Sequence, residues 1–301
     1  MTTFMLKQIF TKSSPRLYHT TLKIFKKPFN MREFKKRQVY FEVIKIIKED
    51  VSNGKSDIDI FLHINNFLIE HNLIECAINV EKRLLNRIND FSILLENDLF
   101  KIDSYLDFGC DDATITKILG SYIGLTKDKI YGVDISQCTN NNITFIKQEY
   151  NNSHVNLPNN SIYLVTMLMV LHHLENPIDL LGEMYRIMKP GGLLIIREHD
   201  IDINMDPDGK IFLDILHLYY DYVYNNPSRN NNIDSYSKIT HYRSRQEWTN
   251  MITSIGFKRI DTDDRINTLY NISDIERKYS HKAKIDNPYH FYYGVYRKPA
   301  Y

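Results

Sequence analysis

Between positions 33 and 100 the apolar residues recur at the three- and four-residue spacing of amphipathic helices. Three stretches show this pattern, at 39–47, 58–68 and 74–95, and Ser52-Asn53-Gly54 separates the first two. The pattern predicts a helical module over 33–100 that packs against the sheet that follows. Alternatively, this module could cover a ligand crevice or a dimer partner.

From residue 102 onward, short apolar runs alternate with amphipathic stretches. The runs lie at 102–108, 130–134, 143–146, 162–170 and 193–196, and the main helical stretches lie at 113–119 and 177–188. Strands that alternate with helices of this length indicate a parallel sheet. The fourth run is apolar throughout, as expected of a strand that is covered on both faces.

After residue 200 the alternation is interrupted by a predicted helix at 211–224 and an Asn-rich loop. This segment, 201–243, predicts an insertion over the carboxyl edge of the sheet, where a substrate lid would lie. A helix at 245–255 and strands at 257–261 and 289–296 complete the pattern. We therefore predict an α/β fold with a doubly wound, Rossmann-like, seven-stranded sheet. Its predicted parts are a leader at 1–32, the helical module at 33–100 and the sheet domain at 101–301.

Composition narrows the class of protein. Apolar residues make up 43% of the 301 positions and charged residues 25%, which is typical of a globular protein. No apolar run approaches the roughly 20 residues that would span a bilayer, so no membrane span is expected. The three cysteines, Cys76, Cys110 and Cys138, are scattered and odd in number, which predicts neither a metal site nor a disulfide framework.

The amino-terminal part of the chain is strongly basic. Residues 1–55 contain 13 Lys or Arg and 4 Asp or Glu, and residues 1–32 contain no acid, although the whole chain has a net charge of only +1. Such asymmetry indicates contact with nucleic acid, an anionic surface or an import receptor. We expect 1–32 to be a disordered tail on a cytoplasmic protein. The alternative is a mitochondrial transit peptide, whose composition it shares.

The chemistry is expected where the first strand meets its helix, at Tyr105-Leu-Asp-Phe-Gly-Cys-Asp-Asp112. A strand that stops at a glycine and turns into a helix forms a crevice at the carboxyl edge of the sheet, where nucleotide-like ligands bind. Gly109 lets the backbone approach such a ligand closely.

Four landmarks follow one another at matching distances: Leu106-Asp-Phe-Gly-Cys110, Gly132-Val-Asp-Ile-Ser136, Val170-Leu-His-His-Leu174 and Met188-Lys-Pro-Gly-Gly-Leu193. Together they resemble the class I S-adenosylmethionine-dependent methyltransferases, in particular the type 11-like branch with Leu-His-His after the fourth strand. The resemblance covers about residues 102–200 closely and the last two strands loosely. It implies a methyltransferase that uses S-adenosylmethionine as its cofactor.

The resemblance also implies roles for single residues. Asp134 would accept hydrogen bonds from both ribose hydroxyls, and Ile135 would pack on the adenine. Gln148 or Glu149 would face the adenine amino group. The implied neighbours of the methionine part are Asp107, Gly109, Cys110, Asp111, Met167 and Leu168.

One departure from the family pattern concerns the loop after the first strand. The family usually has Gly-x-Gly-x-Gly there, whereas this chain has Gly109, Asp111 and Ala113. Asp111 places a carboxylate and a Cβ where the backbone should approach the cofactor. It would either bind the cofactor's ammonium group or weaken binding.

Candidate catalytic and substrate residues follow the later strands. Methyl transfer from a sulfonium needs alignment, and it needs a base only if the acceptor must lose a proton. Glu198 and His199, after the fifth strand, are the predicted base pair; a cluster that caps the strand is the equal alternative. His172, and His217 with Tyr220 one turn apart in the insertion, are candidate substrate contacts.

Three functions remain open from the sequence. The first is methyl transfer to a small molecule, because no RNA-binding module is recognisable. The second is methyl transfer to RNA, with the basic first 55 residues holding phosphates. The third is a non-catalytic binding subunit with a methyltransferase fold, which Asp111 motivates. The oligomeric state is not predicted.

Overall fold

A parallel sheet with one antiparallel strand forms the centre of the computed structural model, which describes residues 4–12, 15–26, 34–72, 80–150, 152–224, 240–260 and 291–300. The strands in chain order are β1 (Tyr105–Phe108), β2 (Ile130–Asp134), β3 (Thr144–Lys147), β4 (Ile162–Leu168), β5 (Met188–His199), β6 (Lys258–Arg259) and β7 (Phe291–Arg297). Their spatial order is β3-β2-β1-β4-β5-β7-β6. The structure confirms the predicted α/β class and the seven-stranded sheet.

Nine α-helices lie within the described residues. They are α1 (Met5–Lys12), α2 (Pro15–Lys26), α3 (Phe34–Ser52), α4 (Asp57–Glu70), α5 (Val80–Leu94), α6 (Thr114–Ile123), α7 (Ile178–Ile187), α8 (Pro207–Tyr219) and α9 (Arg245–Ser254). A π-helical turn, Tyr220–Tyr224, follows α8 directly. None of these helices is long and apolar enough to cross a membrane.

The chain divides into two compact units. The first, which we call the helical unit, comprises 1–80, 203–240 and 282–289; the second, the sheet unit, comprises 81–202, 241–281 and 290–301. The insertion therefore groups with the amino-terminal helices, and α5 groups with the sheet. The sequence predicts a boundary at residue 100, whereas this division falls between residues 80 and 81. Helix α5 groups with the sheet because its Phe91 and Leu94 are buried in one apolar cluster with Tyr105 of β1 and Leu164 of β4.

Within the helical unit, aromatic side chains join three helices. Phe25 of α2 contacts Phe61 of α4 at a ring-centroid distance of 6.0 Å and Tyr219 of α8 at 5.3 Å. All three side chains are almost fully buried. Rings of this kind contribute large buried areas and prefer such offset or edge-on contacts. The amino-terminal segment and the insertion thus share one apolar interior.

Within residues 1–32, which the sequence predicts to be a disordered leader, the described residues form α1 and α2. Leu6, Ile9, Leu17 and Phe25 are buried, and they recur at helical spacing among the basic residues. The carboxylate of buried Asp57 also accepts hydrogen bonds from the backbone N–H groups of Met5 and Leu6, at 2.7 and 2.9 Å, at the start of α1. A negative charge at a helix amino terminus stabilises the helix. Composition alone had hidden this amphipathic pattern.

The sheet unit has an apolar cluster on each side of the sheet. One cluster contains Leu106, Val165, Leu194 and Trp248. The other contains Tyr105, Leu164, Ile195 and Tyr293. Adjacent residues of one strand fall into different clusters because side chains alternate between the two faces of a sheet. Burial on both faces explains why β4 is apolar along most of its length.

Candidate cofactor site at the carboxyl edge of the sheet

A crevice is expected between β1 and β4, because the strand order reverses there and ligands of doubly wound folds bind at that point. Gly109 follows β1 directly, with φ at 77°, and its N–H donates to the carbonyl of Val133 at 2.8 Å. A Cβ added at position 109 would overlap Cγ2 of Val170, which follows β4. Glycine is therefore needed at 109 both for the backbone conformation and for space.

In the loop from Gly109 to Ala113, two residues that are not glycine adopt a backbone conformation that usually requires glycine. Asp111 has φ at 49° and Ala113 has φ at 56°, so both adopt the left-handed conformation. These are the two positions where the resemblance expects glycine. Asp111 is exposed, and its N–H donates to Oδ2 of Asp134 at 2.9 Å. Asp111 and Ala113 thus adopt a backbone conformation that glycine takes without strain.

Asp134 ends β2 and lies beside this loop. Its Oδ1 accepts a hydrogen bond from the N–H of Ser136 at 2.8 Å, in addition to the bond from Asp111. A carboxylate offers about four acceptor positions, so two remain for hydroxyl donors. The next side chain, Ile135, is 48% exposed. A carboxylate acceptor and an exposed apolar side chain therefore lie next to each other at the end of β2, and their roles toward ribose and adenine stay predictions.

The residues after β3 divide into a buried and an exposed one. Gln148 is buried, and its Nε2 donates to the carbonyl oxygens of Asn152 and His154, the latter at 3.0 Å. Its side-chain donors therefore hold the following loop. Glu149 is exposed. Of the two predicted partners of the adenine amino group, Gln148 therefore uses its side-chain amide to hold this loop, whereas the carboxylate of Glu149 is exposed.

Asp107 lies inside the sheet unit. Its Oδ2 accepts from the hydroxyl of Thr116 in α6 and its Oδ1 from that of Thr166 in β4, both at 2.6 Å. Burial raises the pKa of this carboxyl to about 6, while the two hydroxyl donors act in the opposite direction. Asp107 thereby ties β1, β4 and α6 together. The two threonines were not singled out from the sequence, although a lone hydroxyl inside the apolar run of β4 was a usable signal.

The other residues predicted near the methionine part are mostly in the interior. Cys110 is buried, and burial raises the pKa of its thiol. Met167 is fully buried in an apolar cluster, whereas Leu168, which ends β4, is half-buried. Of these three, Leu168 is the side chain with accessible surface at the edge.

Glu198 joins β5 to the turn after β4. Its Oε1 accepts from the N–H groups of Val170 and Leu171, at 2.9 and 2.7 Å. Its Oε2 lies 2.6 Å from Nδ1 of His172, and both side chains are fully buried. Burial raises the pKa of Glu198 to about 7, while the N–H donors of Leu171 and Val170 lower it in part.

The predicted catalytic and substrate residues of this cluster, Glu198, His199 and His172, are all buried, and their roles stay predictions. His199 is 5% exposed, and its ring contacts those of His172 and Tyr242 at centroid distances of 5.1 and 5.4 Å. The Tyr242 ring also stacks on His172 at 5.7 Å. Side chains this deeply buried do not meet a substrate in this conformation. They match the alternative of a polar cluster at the end of the strand.

The candidates in the insertion lie in the helical unit. Nδ1 of His217 donates to the carbonyl of Leu213 at 2.8 Å, one turn earlier in α8. Tyr220 begins the π-helical turn, and its side chain is outside the described part of the chain. Their role as substrate contacts therefore stays a prediction.

The sheet order, the glycine turn after β1 and the acid at the end of β2 define the class of protein: a class I methyltransferase fold. The residues present fit S-adenosylmethionine, because Asp134 keeps acceptor positions and Ile135 exposes an apolar surface beside the tight turn at Gly109.

The comparisons with known proteins agree with that class. A family described as "Methyltransferase domain" matches residues 77–262, and the chain belongs to this family of S-adenosylmethionine-dependent methyltransferases. An uncharacterized methyltransferase of Schizosaccharomyces pombe is 31% identical over 117 residues, which cover 34% of this chain and 41% of that protein. The match thus spans well under half of that relative.

Solved structures with similar chains include two bacterial proteins. A putative methyltransferase of Bacillus halodurans is 17% identical, with 70% of this chain and 98% of that chain covered and a TM-score of 0.42. An S-adenosylmethionine-dependent methyltransferase of Mesorhizobium loti is 16% identical, with coverages of 64% and 90% and a TM-score of 0.41.

Proposed function

We propose that the protein transfers the methyl group of S-adenosylmethionine to a small-molecule acceptor. The observation that carries the proposal is the pairing of Asp134 and Ile135 at the end of β2, beside the turn at Gly109. For the acceptor, support comes from the basic amino-terminal residues. They lie largely on α1, α2 and α3 of a folded unit rather than on an extended arm.

Each residue of the site has a definite part in binding the cofactor. Asp134 accepts hydrogen bonds from the ribose hydroxyls, which a carboxylate does well because it can take two donors. Ile135 covers the adenine, and Glu149 with its exposed carboxylate meets the adenine amino group. Gly109 makes the tight turn after β1, and the methionine part lies along the left-handed loop that follows it.

Methyl transfer requires mainly that the methyl donor and the acceptor atom are aligned. S-adenosylmethionine supplies a methyl group that its sulfonium already activates, so the protein contributes proximity and orientation. Glu198, His172 and His199 are buried and do not act as an exposed base in this conformation. We therefore propose an acceptor atom with a lone pair that is free near neutral pH, such as a carboxylate oxygen or the nitrogen of an aromatic amine.

Cofactor binding is tested by calorimetry with the demethylated product S-adenosylhomocysteine, which needs no acceptor. Asp134→Ala is expected to weaken binding roughly 10- to 100-fold, the value of one or two hydrogen bonds to a charged group. Asp128→Ala is the matched control, because Asp128 is an exposed acid just before the same strand. Equal affinity of Asp134→Ala and wild type would contradict the assigned site.

The acceptor is tested with S-adenosylmethionine that carries a labelled methyl group. The protein is incubated with a small-metabolite extract or with total RNA. Label is counted in the acid-insoluble fraction and, after chromatographic removal of unreacted S-adenosylmethionine, in the acid-soluble fraction. Label in the small-molecule fraction is expected. Label in RNA would instead support the RNA alternative, and cofactor binding without label in either fraction would support a non-catalytic subunit.

A further inference from the structure

The turn that follows β4 is held in an unfavourable conformation by β5. Met169 has φ at 65°, a left-handed conformation that is unfavourable for a non-glycine residue. Its N–H donates to the carbonyl of Arg197 at 2.7 Å, and the next two N–H groups donate to Oε1 of Glu198. Three consecutive backbone donors of the turn thus bind two consecutive residues of β5.

The second carboxylate oxygen of Glu198 fixes the orientation of the side chain. Oε2 pairs with Nδ1 of His172, which belongs to the same turn, and the His172 ring stacks on Tyr242. The backbone N–H of His241 also donates to the carbonyl of His172 at 2.6 Å. Because both oxygens are engaged and fully buried, Glu198 cannot rotate without breaking these bonds.

The consequence of this arrangement is the placement of Val170. Its side chain lies directly against Gly109, where an added Cβ would be 3.3 Å from Cβ of Val170 and would overlap its Cγ2. Val170 is only half-buried and packs on the apolar cluster that contains Phe108 and Met167. It therefore stands between the carboxyl ends of β1 and β4, where the strand order reverses.

We infer that Glu198 is a positioning residue that holds Val170 against Gly109, and that Val170 forms the wall of the crevice that the amino-acid part of the cofactor meets. The inference rests on the proposed function. It gives Glu198 a role other than that of a base: the carboxylate never meets the acceptor, and it acts by keeping one apolar side chain in place. A preorganised wall lowers the ordering cost of binding.

Calorimetry with S-adenosylhomocysteine on four full-length variants tests this role. Glu198→Ala is expected to weaken binding about tenfold and Val170→Ala about fivefold, because the first releases the turn and the second removes the wall. Glu198→Gln is expected to stay within about threefold of wild type, since its amide oxygen still accepts from Val170 and Leu171. Val295→Ala, a buried truncation in β7, is the matched control and should bind like wild type.

The outcomes separate the inference from the proposed function. If wild type does not bind, both are overturned. If wild type binds and Glu198→Ala and Val170→Ala bind equally well, the inference fails and the proposed function stands. Equal weakening in Val295→Ala, or in Glu198→Gln and Glu198→Ala alike, would also overturn it. Should thermal unfolding show that Glu198→Ala is not folded, Val170→Ala against Val295→Ala decides.

Discussion

At the scale of single residues, Asp107 shows how burial changes the chemistry of an acid. The unfolded chain gives this carboxyl its ordinary pKa of 3.8, whereas burial raises the folded value to about 6. The folded state therefore binds the proton more tightly than the unfolded state between these pH values. The stability that Asp107 contributes is fully present below pH 3.8 and is lost as the pH rises through about 6.

Asp107→Asn should remove this pH dependence. The free energy of unfolding of the variant minus that of wild type is expected to increase by about 3 kcal/mol as the pH rises from about 4 to about 7. Urea unfolding of both proteins across that range measures the difference. Parallel stability curves for the two proteins would contradict the raised pKa of Asp107.

The sequence located Asp134 at the end of β2 because the end of a strand is a local pattern. The partners of Asp107 could not be found in this way. Thr116 lies 9 residues from Asp107 and Thr166 lies 59 residues away, so only the tertiary fold brings the three groups together. Which acid stays accessible and which becomes a structural tie is therefore decided by contacts distant in sequence.

At the scale of elements, the loop between β1 and α6 has left-handed residues where glycine is the unstrained choice. Asp111→Gly is expected to raise the free energy of unfolding by roughly 0.5–1 kcal/mol, and Asp111→Ala to lower it. The side chain is exposed, so little packing is lost. Denaturant unfolding measures both changes.

Gly124→Ala calibrates this prediction at the other end of α6. Gly124 has φ at 88°, and a Cβ there would meet no heavy atom within 4 Å, so the substitution reports backbone strain alone. A loss in Gly124→Ala with no gain in Asp111→Gly would mean that the Asp111 side chain compensates its own strain.

The length of β5 explains why Glu198 and His199 are buried. The sequence predicts a strand at 193–196 that leaves Glu198 and His199 in a loop, but β5 continues to His199 because Glu198 and His199 pair with Tyr292 and Phe291 of β7. Those partners are more than 90 residues away along the chain. A strand's end is thus set by its neighbour as much as by its own apolar run, and this placed the two residues inside the protein.

At the scale of the whole molecule, the order of strands and helices could be predicted and the grouping of distant segments could not. Periodicity identified α3, α4 and α8 as helices. It carried no information that residues 1–80 and 203–240 fold together, because each segment only shows that it has an apolar face. The two segments are joined by ring contacts between buried side chains that lie far apart in sequence, Phe25, Phe61 and Tyr219.

Phe25→Ala tests whether the helical unit folds cooperatively. The substitution is expected to cost about 3–5 kcal/mol of local stability, and amide hydrogen exchange in α8 should accelerate although α8 itself is unchanged. Phe4→Ala is the control, since Phe4 is 46% exposed. Unchanged protection of α8 in Phe25→Ala would show that the insertion is stable without the amino-terminal helices.

The hydrogen bonds of the Asp57 carboxylate bear on whether residues 1–32 can be a transit peptide that is cleaved after import. A presequence is cut off by a processing protease once import is complete. Such a cut at residue 32 would take away the Met5 and Leu6 amides that bind this buried carboxylate, and with them the side chain of Phe25. A matured chain would then have to solvate a buried charge or refold its helical unit. Whichever compartment receives the protein, residues 5–26 are expected to travel with it and to stay.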